Sequence, residues 1–373
     1  MANTEEDDRE HEPATDQSSL GNELGYCLVT GAAGLVGRNL TRALLDRGCR
    51  VRALVHNTPL ALEHRNLECI SGDVRDASAM LKACEGVATV FHTAALLSFL
   101  GGSSVTEAYR KPAWEINVIG TENLLRACRE RGVRRFVYTS SVDVCFEGKQ
   151  VENMDQSTPY AKRPKSVYGE TKIAAEKMVL AANGEGGVFT CAIRADGIYG
   201  PEENLLLDSI VKQAAAGRLS VAIGSADTLQ DNSYIDNLIH GEILAARHLG
   251  HNGSACGKAY FITDYTPQNM FEFFRPLIEG MGFTFPSRRI PRMLISPLIT
   301  LWEHLHFRLG ISPPLVTPYE LDKVTVTHYG SIRDAERDLG YKPVKTYEQA
   351  MEECLPYCRD LLEKIRSRRK RKA

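Results

Sequence analysis

No two of the ten cysteines (27, 49, 69, 84, 128, 145, 191, 256, 354 and 358) are spaced C-x-x-C. That absence argues against a zinc ribbon, a dithiol redox centre or a disulfide frame, and no metal site is expected. Most of the thiols lie inside apolar runs such as "YCLVT" and "FTCAI", which points to a reducing, cytoplasmic setting. Net charge is lacking too: 45 basic residues against 47 acidic ones leave −2, with no global attraction for nucleic acid. The chain does not open on a basic segment followed by an apolar one, so no secretory leader is read. It also lacks a run of about 18–20 apolar residues, the length a spanning helix requires. The nearest, "MLISPLITLW" at 293–302, is bounded by Arg292 and Glu303. It reads as a buried core helix, with a shallow lipid-contacting element as the second reading. What charge there is sits at the ends: "EEDDREHEP" gives an acidic tail over 1–23, and "KIRSRRKRKA" a basic tail over 363–373. Both read as solvated, the basic one with an option of weak peripheral contact with anionic lipid.

Between the tails, 43% hydrophobic and 25% charged residues give a globular composition with enough apolar mass for a large core. From Gly25 onward, strand-like runs ("YCLVT", "VRALV", "ATVFHTAA", "RFVYTSS") alternate with amphipathic stretches. The alternation predicts βαβ units and a parallel sheet covered on both faces. The first strand runs directly into "TGAAGLVG", where Gly31, Gly34 and Gly37 stand at a strand-to-helix junction. Glycine there permits the tight turn, admits a pyrophosphate to the backbone N–H groups and lets the helix pack close to the strand. The expected fold is therefore α/β, a Rossmann-type doubly wound parallel sheet. Dinucleotide binding is assigned mainly to 24–200, and a smaller C-terminal α/β substrate-binding region mainly to 201–362, interleaved with the first. Ala33, Leu35 and Val36 join the glycines as cofactor contacts.

The second strand ends in "ALVHN", where an acid for the adenosine ribose of NAD is expected. Val55, His56 and Asn57 stand there instead. Arg38, His56 and Arg52 are the groups that could accommodate a 2′-phosphate, so NAD and NADP both remain open. In "SGDVRD", Asp73 and Val74 are placed near an adenine edge, and Asp76 is a helix N-cap.

In "SVYGETK", Tyr168 and Lys172 fall one helical turn apart on one face. Such a pair alone is commonplace on a protein surface. Here Ser140 and Ser141 end the strand "VYTSS", on the carboxyl edge where open α/β sheets bind ligands. A phenol with a reference pKa of about 10 is a poor base at neutral pH, but a neighbouring ammonium favours phenolate. Tyr168 can then exchange a proton with a substrate hydroxyl or carbonyl while hydride passes to or from a nicotinamide. Ser141 would hold the same oxygen, and Lys172 would also grip the nicotinamide ribose.

These motifs, with "GDV", "HTAA" at 92–95, "NVIGTENLL" at 117–125 and "YGETK", resemble the extended short-chain dehydrogenase/reductases in order and spacing. The resemblance implies cofactor contacts at Thr93, Ala94 and Ala95. It makes Asn117 a structural and proton-relay residue, and Ser141 rather than Ser140 the catalytic serine. In "CAIRADGIYGP", Ala195 stands where the pattern has proline. Further on, "DNSYIDNLIHGEILAARHL", "GKAYFITDYTPQNMFEFFRPLIEGMG" and "AERDLGYKP" are similar to the 3β-hydroxysteroid dehydrogenase/isomerase family, above all its bacterial cholesterol-oxidising members. That implies oxidation of a 3β-hydroxyl on an apolar, sterol-like substrate, with NAD favoured. A second copy of the chain is a candidate partner. Phe271, Phe273, Phe274, Phe283, Phe285 and Trp302 suit an apolar ligand, although such residues are more often core. No residue declares itself for an isomerase step. The rival readings are a sugar-nucleotide epimerase, an NADPH-dependent reductase of 3-oxo groups on long acyl or other apolar ketones, and a non-catalytic dinucleotide sensor.

Overall fold

A computed structural model describes residues 19–97, 107–312, 314 and 316–370. Among the described residues eleven strands form in chain order: β1 (Tyr26–Thr30), β2 (Arg50–Val55), β3 (Leu67–Ser71), β4 (Thr89–His92), β5 (Arg135–Ser141), β6 (Val151–Met154), β7 (Phe189–Ala195), β8 (Val221–Ile223), β9 (Ala259–Phe261), β10 (Arg288–Ile290) and β11 (His328–Gly330). Seven make one parallel sheet in the order β3-β2-β1-β4-β5-β7-β9. The predicted doubly wound sheet is present, and its strand order reverses between β1 and β4, where such sheets bind ligands. β10 pairs with β8 and β11 with β6, giving two small parallel ribbons in the later part of the chain.

The strands are continuous apolar runs because both faces are covered. One side packs Val29, Val51, Phe91, Val137 and Ile193 into the larger core, together with Phe273, Phe274 and Phe285. The opposite side packs Leu28, Leu54, Val90, Phe136 and Tyr138 with Leu124, Val179 and their neighbours. The later aromatics are thus mostly core: Phe271 and Phe283 pack against the same cluster. Trp302 is the exception, exposed and donating Nε1–H to the Ser312 carbonyl at 2.9 Å.

Both expected tail boundaries fall inside helices. Residues 1–18 and 371–373 lie outside the described residues. A helix already begins at Ser19, inside the expected acidic tail, because Leu20 and Leu24 are buried in the main core. The last helix, Tyr347–Lys370, runs through most of the expected basic tail, anchored by Cys354, Cys358 and Leu362. The core reading of 293–302 is also corrected. The helix Arg292–Leu309 buries no residue, and Met293, Leu294, Leu298, Leu301, Phe307 and Leu309 are exposed. Apolar residues occur all round its turns, so no single stripe selects a core-facing side. Among the described residues, no helix is long and apolar enough to cross a membrane.

Candidate active site

The glycine turn closes between β1 and the helix Leu35–Asp46. Gly31 has φ +64°, and a side chain there would strike the Ala94 backbone at 2.8 Å. A Cβ on Gly37 would lie 2.4 Å from the Gly31 carbonyl, so strand and helix approach as closely as the motif demands. Gly34 caps the helix without a side-chain acceptor, leaving its first N–H groups free for an anion. Ala33, Leu35 and Val36 are half-buried around this turn, as an open phosphate cradle requires. The β4 edge closes against it: Thr93 donates Oγ1–H to the Thr30 carbonyl at 2.7 Å, Ala94 N–H reaches Thr30 Oγ1 at 3.2 Å, and Ala95 is exposed beside them. Burial holds the imidazole of His92 neutral, its pKa brought down to about 3, between the hydroxyls of Thr30 (2.8 Å) and Thr121 (2.9 Å).

The cradle fits a dinucleotide, and its ribose end carries no unengaged acid in the expected place. Val55 ends β2, and His56 lies exposed with Nε2 3.4 Å from Asp73 Oδ2. Asp73 is itself gripped by Arg75 at 2.6 Å, which, after opposing burial, holds its carboxyl below the usual range. Val74 is buried against Gly120, where a side chain would sit 2.6 Å from its Cγ2. Asp76 caps the following helix as predicted, accepting from Ser78 and Ala79 N–H. Of the three candidate phosphate partners, Arg52 is committed elsewhere, to Glu68 at 3.1 Å and to the Ala83 and Glu85 carbonyls at 2.8 Å. Arg38 keeps a buried Nε without a partner while pairing with Glu202 at 2.8 Å.

Further along the sheet, β5 carries Ser140 and Ser141 to the carboxyl edge. They point to opposite sides, as period-2 alternation requires. Ser140 is buried and donates to Glu176 Oε2, so it is structural; Ser141 is half-buried, and its Oγ accepts from Asp143 N–H at 3.2 Å. The helix Val167–Ala181 starts at a Ser166 cap that accepts from Gly169 N–H at 3.0 Å. This fixes Tyr168 in the first turn, near enough to Ser141 for a hydrogen bond. One turn on, Lys172 passes under the tyrosine, its Nζ 5.7 Å from the Tyr168 ring centre and 2.5 Å from the Thr139 carbonyl. Burial drives the Tyr168 phenol well above its ordinary pKa, and the Asp143 charge adds to the effect. Burial brings the Lys172 ammonium down to about 7, against the pull of Glu176 and Glu242. The pair therefore starts with a phenol that holds its proton beside an amine near its titration point, and any cofactor charge will move both.

Asn117 lies in a wide π-turn, Glu115–Ile119, within the helical segment that precedes β5. Its Oδ1 accepts from Leu96 N–H at 2.7 Å, and its Nδ2 donates to the Leu96 carbonyl at 3.1 Å and Thr171 Oγ1 at 2.9 Å. It ties the segment after β4 to the tyrosine helix.

The sequence gives little sign of the buried charge around this trio. Arg194 pairs with Glu176 at 2.7 Å, both fully buried. Glu242 accepts from Thr139 Oγ1–H at 2.5 Å, and burial pushes its carboxyl up to about 7. A second group gathers beside Ser141: Asp143, Asp196, Lys323, Tyr319 and His328. Asp143 could have been suspected from standing two residues beyond Ser141. Tyr319 and Lys323 offer no signal, since they arrive from more than 170 residues away on the short helix Pro318–Thr325.

A strand-borne serine and a helix-borne tyrosine–lysine pair facing a glycine cradle define the extended short-chain dehydrogenase/reductase class of dinucleotide-dependent oxidoreductases. More narrowly, a model of the 3-beta hydroxysteroid dehydrogenase/isomerase family matches residues 28–292, and the chain belongs to that family. It is 45% identical to a 3 beta-hydroxysteroid dehydrogenase/Delta 5-->4-isomerase of Mycobacterium tuberculosis, over 94% of this chain and 95% of that protein. It is 44% identical to a 3-beta-hydroxysteroid dehydrogenase of Mycolicibacterium neoaurum, over 92% and 94%. Among solved structures, a UDP-glucuronic acid 4-epimerase from Bacillus cereus in complex with NAD superposes with a TM-score of 0.68 at 20% identity, over 90% of this chain and 99% of that one. At that identity the likeness extends to the fold alone. The chain is thus an NAD(P)-dependent oxidoreductase acting on CH–OH groups.

Proposed function

We propose that the protein oxidises the 3β-hydroxyl of a sterol or steroid to the ketone. The observation that carries this reading is the convergence of Ser141, Tyr168 and Lys172 on one edge of the sheet, in a chain of this family. The bound dinucleotide supplies the hydride acceptor. Tyr168 takes the hydroxyl proton as the C3–H bond breaks, Ser141 donates to the same oxygen, and Lys172 carries the charge that lets the phenol ionise. Gly31, Gly34 and Gly37 hold the pyrophosphate through backbone N–H groups. Residues 24–200 do most of the cofactor binding, and 201–362 shape the sterol side.

The exposed apolar helix Arg292–Leu309 supports a further assignment, peripheral contact with a lipid bilayer by a cytoplasmic enzyme. A sterol substrate partitions into bilayers, and a helix with Leu294, Leu298, Leu301 and Trp302 in solvent is suited to shallow insertion. A second copy of the chain on the same face is the competing occupant.

One observation favours a second reading. Val55 in the place of the ribose-binding acid suits NADPH and hence reduction of a 3-oxo group on a long acyl or other apolar ketone. Purified protein given cholesterol or pregnenolone with NAD and NADP in parallel decides between them. Growth of reduced-nicotinamide absorbance with sterol is expected. No signal with either cofactor, alongside NADPH consumption on a 3-oxoacyl substrate, would replace the first reading with the second.

A further inference from the structure

Lys323 Nζ lies 3.1 Å from Asp143 Oδ1 and 3.1 Å from Asp196 Oδ1, bridging two buried carboxylates beside Ser141. Compared with apolar side chains in the same space, such a group seldom adds stability. Its location says more. Asp143 stands on the turn directly after β5, its N–H on Ser141 Oγ at 3.2 Å. Its carbonyl lies against Gly169, the residue after Tyr168, where a Cβ would come within 3.4 Å of it. Tyr319 donates its hydroxyl proton to Asp143 Oδ2 and also reaches Ser166, the cap of the tyrosine helix. The carboxylate is thus fastened between the serine and the helical turn that carries the tyrosine.

To take a hydroxyl proton, Tyr168 must first carry negative charge. Burial weighs most against its ionisation, and the Asp143 charge comes next. Lys172 pulls the other way from one turn along the helix, with Glu176 and Glu242 behind it and the Tyr138 ring 4.4 Å beneath its Nζ. Burial keeps the Tyr138 phenol protonated, and Tyr109, from the helix Glu107–Trp114, donates to the Leu96 carbonyl at 3.1 Å. Behind Lys323 stand Asp196, raised by burial to about 6, and His328, held neutral by burial. Against its own burial, Lys323 is kept an ammonium by Asp143 and Asp196. It is a second cation of this neighbourhood, and its partner is the opposing carboxylate itself. We infer that Asp143 and Lys323 are an electrostatic positioning pair for the oxidation, in which Lys323 masks a carboxylate that would otherwise oppose the phenolate of Tyr168. The pair acts through Tyr168 and needs no contact with a substrate atom. It rests on the reading of Tyr168 as the acid/base, and on the sterol only as the assay substrate.

Two readouts test this. With oxidised cofactor bound and no steroid present, the ultraviolet phenolate absorbance of each protein, less that of the same protein carrying Tyr168→Phe, is titrated against pH. In parallel, the acid limb of kcat/KM for a 3β-hydroxysteroid is followed at saturating cofactor. One unit charge within about 10 Å, at an effective dielectric of about 20, moves a neighbouring pKa by about one unit. Asp143→Asn, which keeps the N–H on Ser141, should therefore lower both midpoints by about that much. Lys323→Met should raise both by a similar amount, because it leaves the carboxylate unmasked. Opposite signs are the signature, since loosened packing alone would not drive the two variants apart. Where one variant does not fold, by melting and cofactor binding, the other decides alone by its sign. A midpoint unmoved in either folded variant, or moved the same way in both, would overturn the inference. If wild type oxidises no steroid, the sterol reading falls, while opposite shifts in the substrate-free titration would still uphold the pair.

Discussion

The glycine turn with the tyrosine–lysine pair and the polar group beside Ser141 are built differently. On the dinucleotide side, each piece of chemistry is local: three glycines within seven residues, and a tyrosine and lysine one turn apart. In the polar group beside Ser141, it is assembled over distance. Tyr319 and Lys323 reach Asp143 across 176 and 180 positions, and Lys323 reaches Asp196 across 127. The contrast shows where a fold can vary. The cofactor half must keep fixed backbone spacings to hold a constant ligand. The substrate half needs only side chains that arrive at the right edge, from whatever element passes there.

The largest expected effect tests the local half. Tyr168→Phe should lower the oxidation rate by at least about a hundredfold, the scale of losing a general acid/base, while nucleotide binding stays within a few fold by titration. A variant that keeps substantial turnover would place the acid/base on the distant side and erase the contrast. A smaller effect concerns the helix Arg292–Leu309. The Leu298→Glu, Leu301→Glu double variant should lose most of its flotation with phosphatidylcholine–phosphatidylserine vesicles and keep activity on a detergent-dispersed sterol. Wild type that ignores vesicles but sediments as a dimer, with a variant that sediments as a monomer, would assign the face to a second copy.

The smallest effect is on stability. Burial raises Asp196 to about 6, and Asp231 and Glu242 to about 7. Unfolded carboxyls titrate near about 4, so between these values the native state binds more protons, and these groups make stability fall as pH rises from about 4 to 7. Glu242→Gln removes one of them. Its melting temperature should decline less steeply across that window than wild type, and an equal slope would mean that Glu242 stays ionised throughout.

Much of the fold was readable because covered parallel strands are continuous apolar runs, and the glycine turn announces its junction. The positions of Ser141, Tyr168 and Lys172 were readable for the same reason: each is placed by a strand end or a helix start next to it. The helix Arg292–Leu309 misled, since a short apolar run looks alike whether it meets core or solvent, and only the surrounding packing decides. Arg52 misled in a different way. Its place in β2 suggested a phosphate partner, but Glu68, two strands from β1, had already claimed it. Glu242 and Lys323 could not be read at all, because their meaning lies entirely in partners far off in the chain.

The helix Pro318–Thr325 has one more property. Asp322 on it is bound by Arg292 at 2.5 Å, the first residue of the apolar helix, while Tyr319 and Lys323 on the same two turns hold Asp143. The apolar helix is therefore tied, by an ion pair among other contacts, to the element that holds Asp143 beside Ser141. If that helix docks on lipid as proposed above, the detergent or lipid around the protein would become a variable of catalysis as well as of solubility.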